Sequence, residues 1–158
     1  MDSLERKTID DEYKKKEEER IKHLEQLRDI VAEIQKDKPG TNTLLEGNCF
    51  YHHTTWNEFP QLYTKQLNLF WCGKQAEQNI CEIGFNAGHS TMLMLLGRNV
   101  HETPPLNFTI FDICYHPYAE PCFDYIKSQH THVNFEFVKG DSTRTMPKWI
   151  SENEHMKY

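Results

Sequence analysis

The clearest pattern in the sequence is an alternation of short apolar runs with segments of helical spacing, and it begins at Asn79. The runs NICEIGF, NFTIFDI and VNFEFVKG are rich in β-branched and aromatic residues and predict strands. The segments that follow them, HSTMLMLLGRN, YAEPCFDYIKSQ and TRTMPKWISEN, space their apolar residues as amphipathic helices do. Strands separated by helices form parallel βαβ units with right-handed crossovers. Residues 79–158 are therefore predicted to form an α/β domain, a partial Rossmann-like parallel sheet with the order β-α-β-α-β-α.

The third predicted strand differs from the first two in its polarity. Val133, Phe135 and Phe137 alternate with Asn134 and Glu136. Such alternation is typical of a strand with one solvated face, whereas a central parallel strand is apolar throughout. We therefore predict that this strand lies at an edge of the sheet.

A charged segment precedes the domain and carries one narrow apolar stripe. Lys, Glu, Asp, Arg and Gln dominate from Thr8 to Lys38, until DKPG ends the pattern. The apolar positions of the stripe recur at helical spacing: Ile21, Leu24, Leu27, Val31 and Ile34. Residues 1–40 are predicted to form a charged N-terminal helix that lies, solvated, against the main body. A short coiled-coil contact is the alternative.

An aromatic-rich segment, residues 41–78, connects the charged helix to the α/β domain. Its stretch FPQLYTKQLNLFW predicts a short helix, and we expect this segment to cover one face of the sheet. Because adjacent side chains rarely converge on one ion, His52 and His53 are interpreted as part of a surface loop rather than as a metal site. No metal site is predicted elsewhere.

Composition limits the class of protein. A chain of 158 residues can bury one core of ordinary size. A net charge of −6 without a basic stripe argues against general binding of nucleic acids or acidic membranes. The first residues lack the apolar core of a signal peptide and no run is long enough to span a membrane, so we expect a cytoplasmic protein. Its five cysteines form no C-x-x-C pair, which predicts reduced, mostly buried thiols.

The stretch NICEIGFNAGHSTMLMLL places two glycines in the turn between the first strand and its helix. Gly84 allows a sharp turn, and Gly88, which lacks a β-carbon, is expected to let a ligand approach the first free amides of the helix. An anionic group is favoured at that position. Asp112 ends the next strand, where an acid can accept hydrogen bonds from the ribose hydroxyls of a nucleoside. Because ligands bind outside the carboxyl ends of parallel strands, these residues predict a nucleoside site.

Two common nucleotide fingerprints do not match this turn. The dinucleotide fingerprint G-x-G-x-x-G requires glycines where the chain has Asn86 and His89. The phosphate loop G-x-x-x-x-G-K-[ST] requires a longer glycine spacing and a lysine that does not follow. Neither a dinucleotide nor a nucleoside triphosphate is therefore predicted by these motifs.

The pattern that is present, E-x-G-x-x-x-G-x-S with an acid ending the next strand, resembles the cofactor-binding core of class I S-adenosylmethionine-dependent methyltransferases. The segments CEIGFNAGHS, FDICYHPY and VKGDS look most similar to the small O-methyltransferase-like group called methyltransferase family 24, which includes copies in large DNA viruses. The resemblance covers residues 79–150. It implies S-adenosyl-L-methionine as cofactor and in-line transfer of its methyl group to an oxygen or nitrogen nucleophile of an unknown acceptor.

The resemblance implies roles for the residues of the turn. The backbone from Gly84 through Phe85, Asn86 and Ala87 to Gly88 would line the methionine part of the cofactor. Ser90 would lie near the carboxylate of the cofactor, and capping of the helix is the alternative role for its hydroxyl.

The resemblance also assigns three acids. Glu82 would stabilise the turn and hold the amino end of the cofactor. Asp112 would hold the ribose hydroxyls, with Ile113 pressed on the adenine. Asp141 would accept from the adenine amino group, with Ser142 beside it. The structural alternatives are that Glu82 only pins the turn and that Asp141 only starts the last helix.

Three further residues lie close to these motifs in the sequence. His89 reaches the cofactor or merely begins the helix, and we favour the second role. Tyr115 and His116 follow Asp112 closely enough to border the pocket, and a simple loop role is the alternative. No residue is identified as a catalytic base.

The chain differs from the family in its extent. Class I methyltransferases complete a larger sheet, whereas this sequence stops at ISENEHMKY. We therefore expect either a truncated gene product, or a half-domain in which a partner chain or a second copy pairs with the open edge of the first strand. Besides a methyltransferase or its cofactor-binding half, two alternatives stay open: a degenerate, non-catalytic module that acts in assembly or protein contact, and a different nucleotide-binding α/β protein.

Overall fold

A computed structural model of the chain describes residues 2–36, 49–51, 57, 59–98 and 105–154. The helices within these ranges are α1 (Ser3–Lys15), α2 (Glu17–Gln35), α3 (Tyr63–Gln75), α4 (His89–Gly97), α5 (Ala119–Gln129) and α6 (Ser142–Glu152), and a short 3₁₀ helix (Pro60–Leu62) precedes α3. The strands are β1 (Asn79–Ile83), β2 (Asn107–Asp112) and β3 (Asn134–Lys139). None of these helices combines the length and the apolar character that crossing a membrane requires. His52 and His53 lie outside the described residues, so their interpretation stays a prediction.

The three strands form one parallel sheet in the order β1-β2-β3. The register places Cys81, Thr109 and Glu136 in one row across the sheet. This arrangement confirms the α/β prediction, and β3 lies at an edge as its alternating pattern predicted. β1 ends at Ile83, earlier than predicted, because the chain turns at Gly84 with a φ of +84°.

Aromatic side chains pack on both faces of the sheet. Phe108 of β2 stacks on Phe135 of β3 with 5.8 Å between ring centroids, and Phe123 of α5 packs edge-on against Phe135. Phe111 points to the opposite face because side chains alternate along a strand. There it contacts Trp149 of α6, with ring centroids 5.9 Å apart. Helices therefore contact both faces of the sheet, as is usual for parallel sheets.

Helices α3 and α4 cross at two glycines. A β-carbon at Gly73 would lie 1.8 Å from the carbonyl oxygen of Met94, and one at Gly97 would lie 2.0 Å from that of Phe70. The two backbones are therefore in direct contact, closer than any larger residue permits. The helix predicted in the aromatic segment is α3, and it packs most closely against α4.

The N-terminal extension consists of two helices, so the prediction of one helix was wrong. The helical conformation is interrupted at Lys16, between α1 and α2. Ile9 and Tyr13 of α1 are 2% and 1% exposed, although only the later stripe was expected to supply apolar contacts. Ile21, the first residue of that stripe, is 42% exposed. The buried surface of the extension therefore begins earlier than its apolar stripe indicates.

Both helices of the extension lie against the main body, which confirms that part of the prediction. The hydroxyl of Tyr13 donates to Oε1 of Gln66 at 2.6 Å, and Nε1 of Trp71 donates to Oε1 of Glu5 at 2.8 Å, which joins α1 to α3. Helix α2 packs against α4 and α5. Three residues of its stripe are buried: Leu24, Leu27 and Val31. The stripe is therefore used for packing within the chain.

The cysteines are all free thiols, as the absence of paired spacing indicated. Cys49 and Cys122 are buried and Cys114 is half-buried, whereas Cys72 and Cys81 are exposed. The expectation that most are buried was wrong. Cys81 is exposed because it points to the face of β1 that also leaves Ile83 exposed.

Candidate functional site

A cleft of about 720 Å³ lies at the carboxyl ends of β1 and β2. Most residues assigned from the sequence line it: Glu82, Gly84, Phe85, Asn86, Ser90, Asp112 and Ile113. Tyr115 and His116, in the loop after β2, also border it, which is one of the two roles considered for them. The turn after β1 and the loop after β2 therefore meet at one site, because parallel strands bring their carboxyl ends to the same edge.

The turn between β1 and α4 leaves space beside its backbone. Gly84 has a φ of +84°, and a β-carbon there would meet no atom within 4 Å. Asn86 also has a positive φ, of +54°, and its side-chain oxygen accepts a hydrogen bond from the hydroxyl of Tyr118 at 3.2 Å. The left-handed backbone explains the glycine at position 84. The space around Gly84 leaves its peptide accessible to a ligand.

Gly88 serves a different purpose from the one predicted. Its φ is +79°, and a β-carbon would lie 2.5 Å from Cδ1 of Ile126 and 2.6 Å from Cζ of Phe85. The space left by the missing β-carbon is therefore filled by core side chains rather than left open to a ligand. Gly88 is buried and is not part of the cleft lining.

Asp112 joins the two loops that border the cleft. One carboxylate oxygen accepts hydrogen bonds from the amides of Phe85 at 2.6 Å and Asn86 at 3.0 Å. The other accepts from the amide of Cys114 at 2.6 Å. The residue is 9% exposed and lines the cleft. Because a carboxylate offers about four lone-pair sites, Asp112 retains the capacity to accept one more donor.

Glu82 is a second buried acid of the cleft. Its two oxygens accept hydrogen bonds from the hydroxyls of Ser90 and Thr91, one from each. Burial raises the pKa of Glu82 to about 7, although these two hydrogen bonds act in the opposite direction. A cationic group bound in the cleft would favour the ionised form. Ser90 holds this acid and does not cap its own helix, whose N-cap is Gly88.

The N-terminus of α4 provides donors at the same cleft. No side chain caps it, so the amides of its first turn lack the usual side-chain partner. His89, the first residue of α4, lines the cleft and is 3% exposed. Within the described structure its Nε2 atom has no hydrogen-bond partner, and burial lowers the pKa of His89 to about 4, so the imidazole is neutral at neutral pH. A buried nitrogen without a partner costs free energy, and it marks a place where a polar ligand group would be stabilised.

Asp141 and Ser142 lie outside the cleft lining. Asp141 is exposed, and its carboxylate accepts hydrogen bonds from the amide and the hydroxyl of Thr143 at 2.9 Å and 2.7 Å. It therefore starts α6, which is the structural alternative considered for it. The assignment of both residues to the adenine stays a prediction.

Five residues of the lining were not assigned to the site from the sequence. They are Lys65 and Leu69 of α3, Cys81 and Ile83 of β1, and Met94 of α4. Lys65 and Leu69 are one helical turn apart and share a face of α3. The sequence predicts helix α3 but not where it lies. Its position is determined by the crossing with α4 at Gly73 and Gly97.

Within the described residues, no group of three or more His, Cys, Asp or Glu side chains is arranged to hold a metal ion. No protein-family model matches the chain, and no curated protein or solved structure shows significant similarity to it. The geometry and chemistry of the cleft therefore carry the functional argument.

Proposed function

We propose that the chain binds S-adenosylmethionine, either as a class I methyltransferase or as the cofactor-binding half of one. The group that it resembles is methyltransferase family 24, and the proposed fold is a partial Rossmann-like domain. The observation that carries this proposal is the meeting of Glu82, Asp112 and the uncapped N-terminus of α4 at one cleft. The cofactor has an ammonium group and a ribose diol, which need acceptors, and a carboxylate, which needs donors. The cleft supplies both, and its volume of about 720 Å³ falls within the range of ligand pockets.

The amino-acid end of the cofactor would lie at the turn between β1 and α4. Glu82 would accept from the ammonium group, and the Ser90 hydroxyl bonded to Glu82 orients that acid. The first amides of α4 would donate to the carboxylate, where the helix dipole also favours a negative charge.

The nucleoside end would lie at the carboxyl end of β2. Asp112 would accept from one ribose hydroxyl with its remaining lone pair. Ile113 is 63% exposed at the cleft and would cover one face of the adenine. Asp141 and Ser142 are proposed to approach the adenine amino group from the start of α6.

The cofactor supplies a methyl group that is already activated by its sulfonium. The contribution of the chain is to orient that group and to hold it away from water, and orientation is worth up to roughly 7 to 11 kcal/mol in well-aligned reactions. A general base is required only where the acceptor must lose a proton. We assign none of the cleft residues to that role.

One observation favours the second candidate, a non-catalytic module that keeps this fold for assembly or protein contact. Asp112 already accepts three backbone amides, which by itself accounts for an acid at this position. In that case Asp112 would only hold the turn after β1 against the loop after β2, and the cleft would have no affinity for the cofactor.

Calorimetric titration of the full chain with S-adenosylmethionine and S-adenosylhomocysteine tests the proposal. The wild-type chain is expected to bind both compounds. Asp112→Asn replaces an acceptor oxygen by a donor and is expected to weaken the affinity at least about tenfold. Asp124→Asn, on the exposed side of α5, is the matched control and should leave the affinity unchanged.

Absence of binding by the wild-type chain, or equal affinity in Asp112→Asn, would contradict the cofactor proposal. Circular dichroism of the variants shows whether each has folded. Parallel titrations with ATP and NAD address the remaining alternative, because binding of one of these in place of the sulfonium cofactor would indicate a different nucleotide-binding protein.

A further inference from the structure

Glu82 is a buried acid in the wall of the cleft. It is 8% exposed, and its two oxygens accept hydrogen bonds from the hydroxyls of Ser90 and Thr91. Among the described residues, the groups that act on its pKa include the acid Asp112 but no cation, and Lys65, which lines the cleft, is not one of them. Burial and a neighbouring acid both favour the protonated form of a carboxyl group. Below neutral pH the free cleft therefore keeps a proton on Glu82, whose pKa is about 7.

The other titratable groups near Glu82 come from β1, α4 and the loop after β2. His89 is neutral at neutral pH, because burial lowers its pKa to about 4. Partial burial and the nearby acid raise the pKa of the Cys81 thiol, so this group is neutral as well. Tyr115 and His116 border the cleft, and histidine is the side chain that ordinarily changes charge between pH 5 and 8. His116 is therefore the group whose titration has to be separated from that of Glu82.

An ammonium group bound at Glu82 would supply the positive charge that this acid lacks. The two hydroxyls occupy two of the about four lone-pair sites of the carboxylate, so sites for a further donor remain. An opposite charge at short distance lowers the pKa of an acid, and the effect is strongest where water is excluded. The proton that Glu82 holds in the free cleft would therefore pass to the solvent when the ammonium binds.

We infer that Glu82 makes the cleft selective for ligands that carry an ammonium group, and that such a ligand displaces the proton of Glu82 to the solvent. The inference rests on the proposed function, because the amino-acid end of S-adenosylmethionine provides the ammonium. It adds a regulation by pH, since the affinity for the cofactor falls as the pH falls below 7. A ligand of the same shape without the ammonium leaves Glu82 protonated, and its affinity does not depend on this proton.

Calorimetric titration of the full chain with S-adenosylhomocysteine counts the protons released on binding, when it is repeated in buffers of different ionisation enthalpy. At pH 6 and pH 7 an α-amino group is mostly protonated, so the ligand itself contributes little to the count. The wild-type chain is expected to release nearly one proton at pH 6 and about half a proton at pH 7, with an affinity that rises about fivefold between them. The matched ligand is the analogue in which hydrogen replaces the amino group, and its binding should not release this proton.

Two variants assign the proton to one of the two candidate groups. Glu82→Gln cannot titrate, so it should release no proton and should lose the preference for S-adenosylhomocysteine over the analogue. His116→Gln should retain the release. Release that persists in Glu82→Gln, or that disappears in His116→Gln, would assign the proton to His116 and overturn the inference. If Glu82→Gln does not bind, the comparison of the two ligands on the wild-type chain decides.

Failure of this inference can be told apart from failure of the proposed function. If the wild-type chain binds S-adenosylhomocysteine at pH 6 without releasing a proton, or binds both ligands equally, only the inference about Glu82 fails. If the chain binds neither S-adenosylmethionine nor S-adenosylhomocysteine at any pH, the proposed function fails and the inference fails with it.

Discussion

Gly84 and Gly88 share a left-handed backbone but differ in their surroundings. Both have φ near +80°, at +84° and +79°. The space beside Gly84 is open, whereas that beside Gly88 is filled by Phe85 and Ile126. The same residue type therefore borders open space at one position and allows close core packing at the other.

Substitution of each glycine by alanine separates these two effects. Gly84→Ala adds only the strain of a β-carbon at positive φ and is expected to lower the free energy of unfolding by about 1 kcal/mol. Gly88→Ala adds overpacking to that strain and is expected to cost about 3 kcal/mol. Urea unfolding followed by circular dichroism measures both. Equal losses in the free energy of unfolding would show that the side chains around Gly88 move apart without a cost in stability.

The sequence predicted where the residues of the site lie better than what they contact. The place of Glu82 in the site could be predicted from the spacing of the glycine turn, and that of Asp112 from the end of a strand, because both features are local in the sequence. The hydrogen bonds of Asp112 to the amides of Phe85 and Asn86 depend on how two loops meet. The contact of Gly88 with Ile126 depends on α5, which is distant in the sequence, and no local pattern encodes it.

At the scale of elements, periodicity located most helices and strands of the α/β region. The break at Lys16 was missed because the residue is neither glycine nor proline and its neighbours are all charged. Ile9 and Tyr13 are also too few to form a recognisable stripe, although they lie one turn apart on α1. The close approach of α3 to α4 could not be predicted, because a lone glycine in a helix does not reveal its partner.

The crossing of α3 and α4 leads to a prediction at this scale. Gly73→Ala would force a β-carbon into the backbone of α4 near Met94, and the helices would have to separate. We expect a loss of about 3 kcal/mol or more in the free energy of unfolding. Gln75→Ala, at an exposed position of the same helix, is the control and should change stability little. Thermal unfolding of both variants checks the difference, and similar melting temperatures would show that the crossing is not rigid.

For the whole molecule, buried titratable groups oppose one another in their effect on stability. Burial raises the pKa of Glu82 from 4.5 to about 7. Burial lowers the pKa of His89 and of His130 from 6.5 to about 4, and lowers that of His23. The acid stabilises the fold below its unfolded pKa and loses this contribution as the pH rises through 7. The histidines contribute stability above 6.5 that is lost as the pH falls toward 4.

Between pH 6.5 and pH 8 two opposing effects overlap. The unfolded histidines release their remaining protons, which raises stability, and Glu82 loses its proton in the folded state, which lowers stability. Over this range the wild-type chain is expected to lose stability relative to Glu82→Gln, because the histidines titrate alike in both chains and only the wild-type chain buries a charge at position 82. The amide of Glu82→Gln stays neutral at every pH, and only the hydroxyl that faces the new amide nitrogen, that of Ser90 or Thr91, has to turn and accept a hydrogen bond. Urea unfolding at both pH values measures the change, and Glu77→Gln, at an exposed position, corrects for the altered net charge. If stability changed equally in Glu82→Gln and in the wild-type chain, the acid in the cleft would not be the group that titrates in this range.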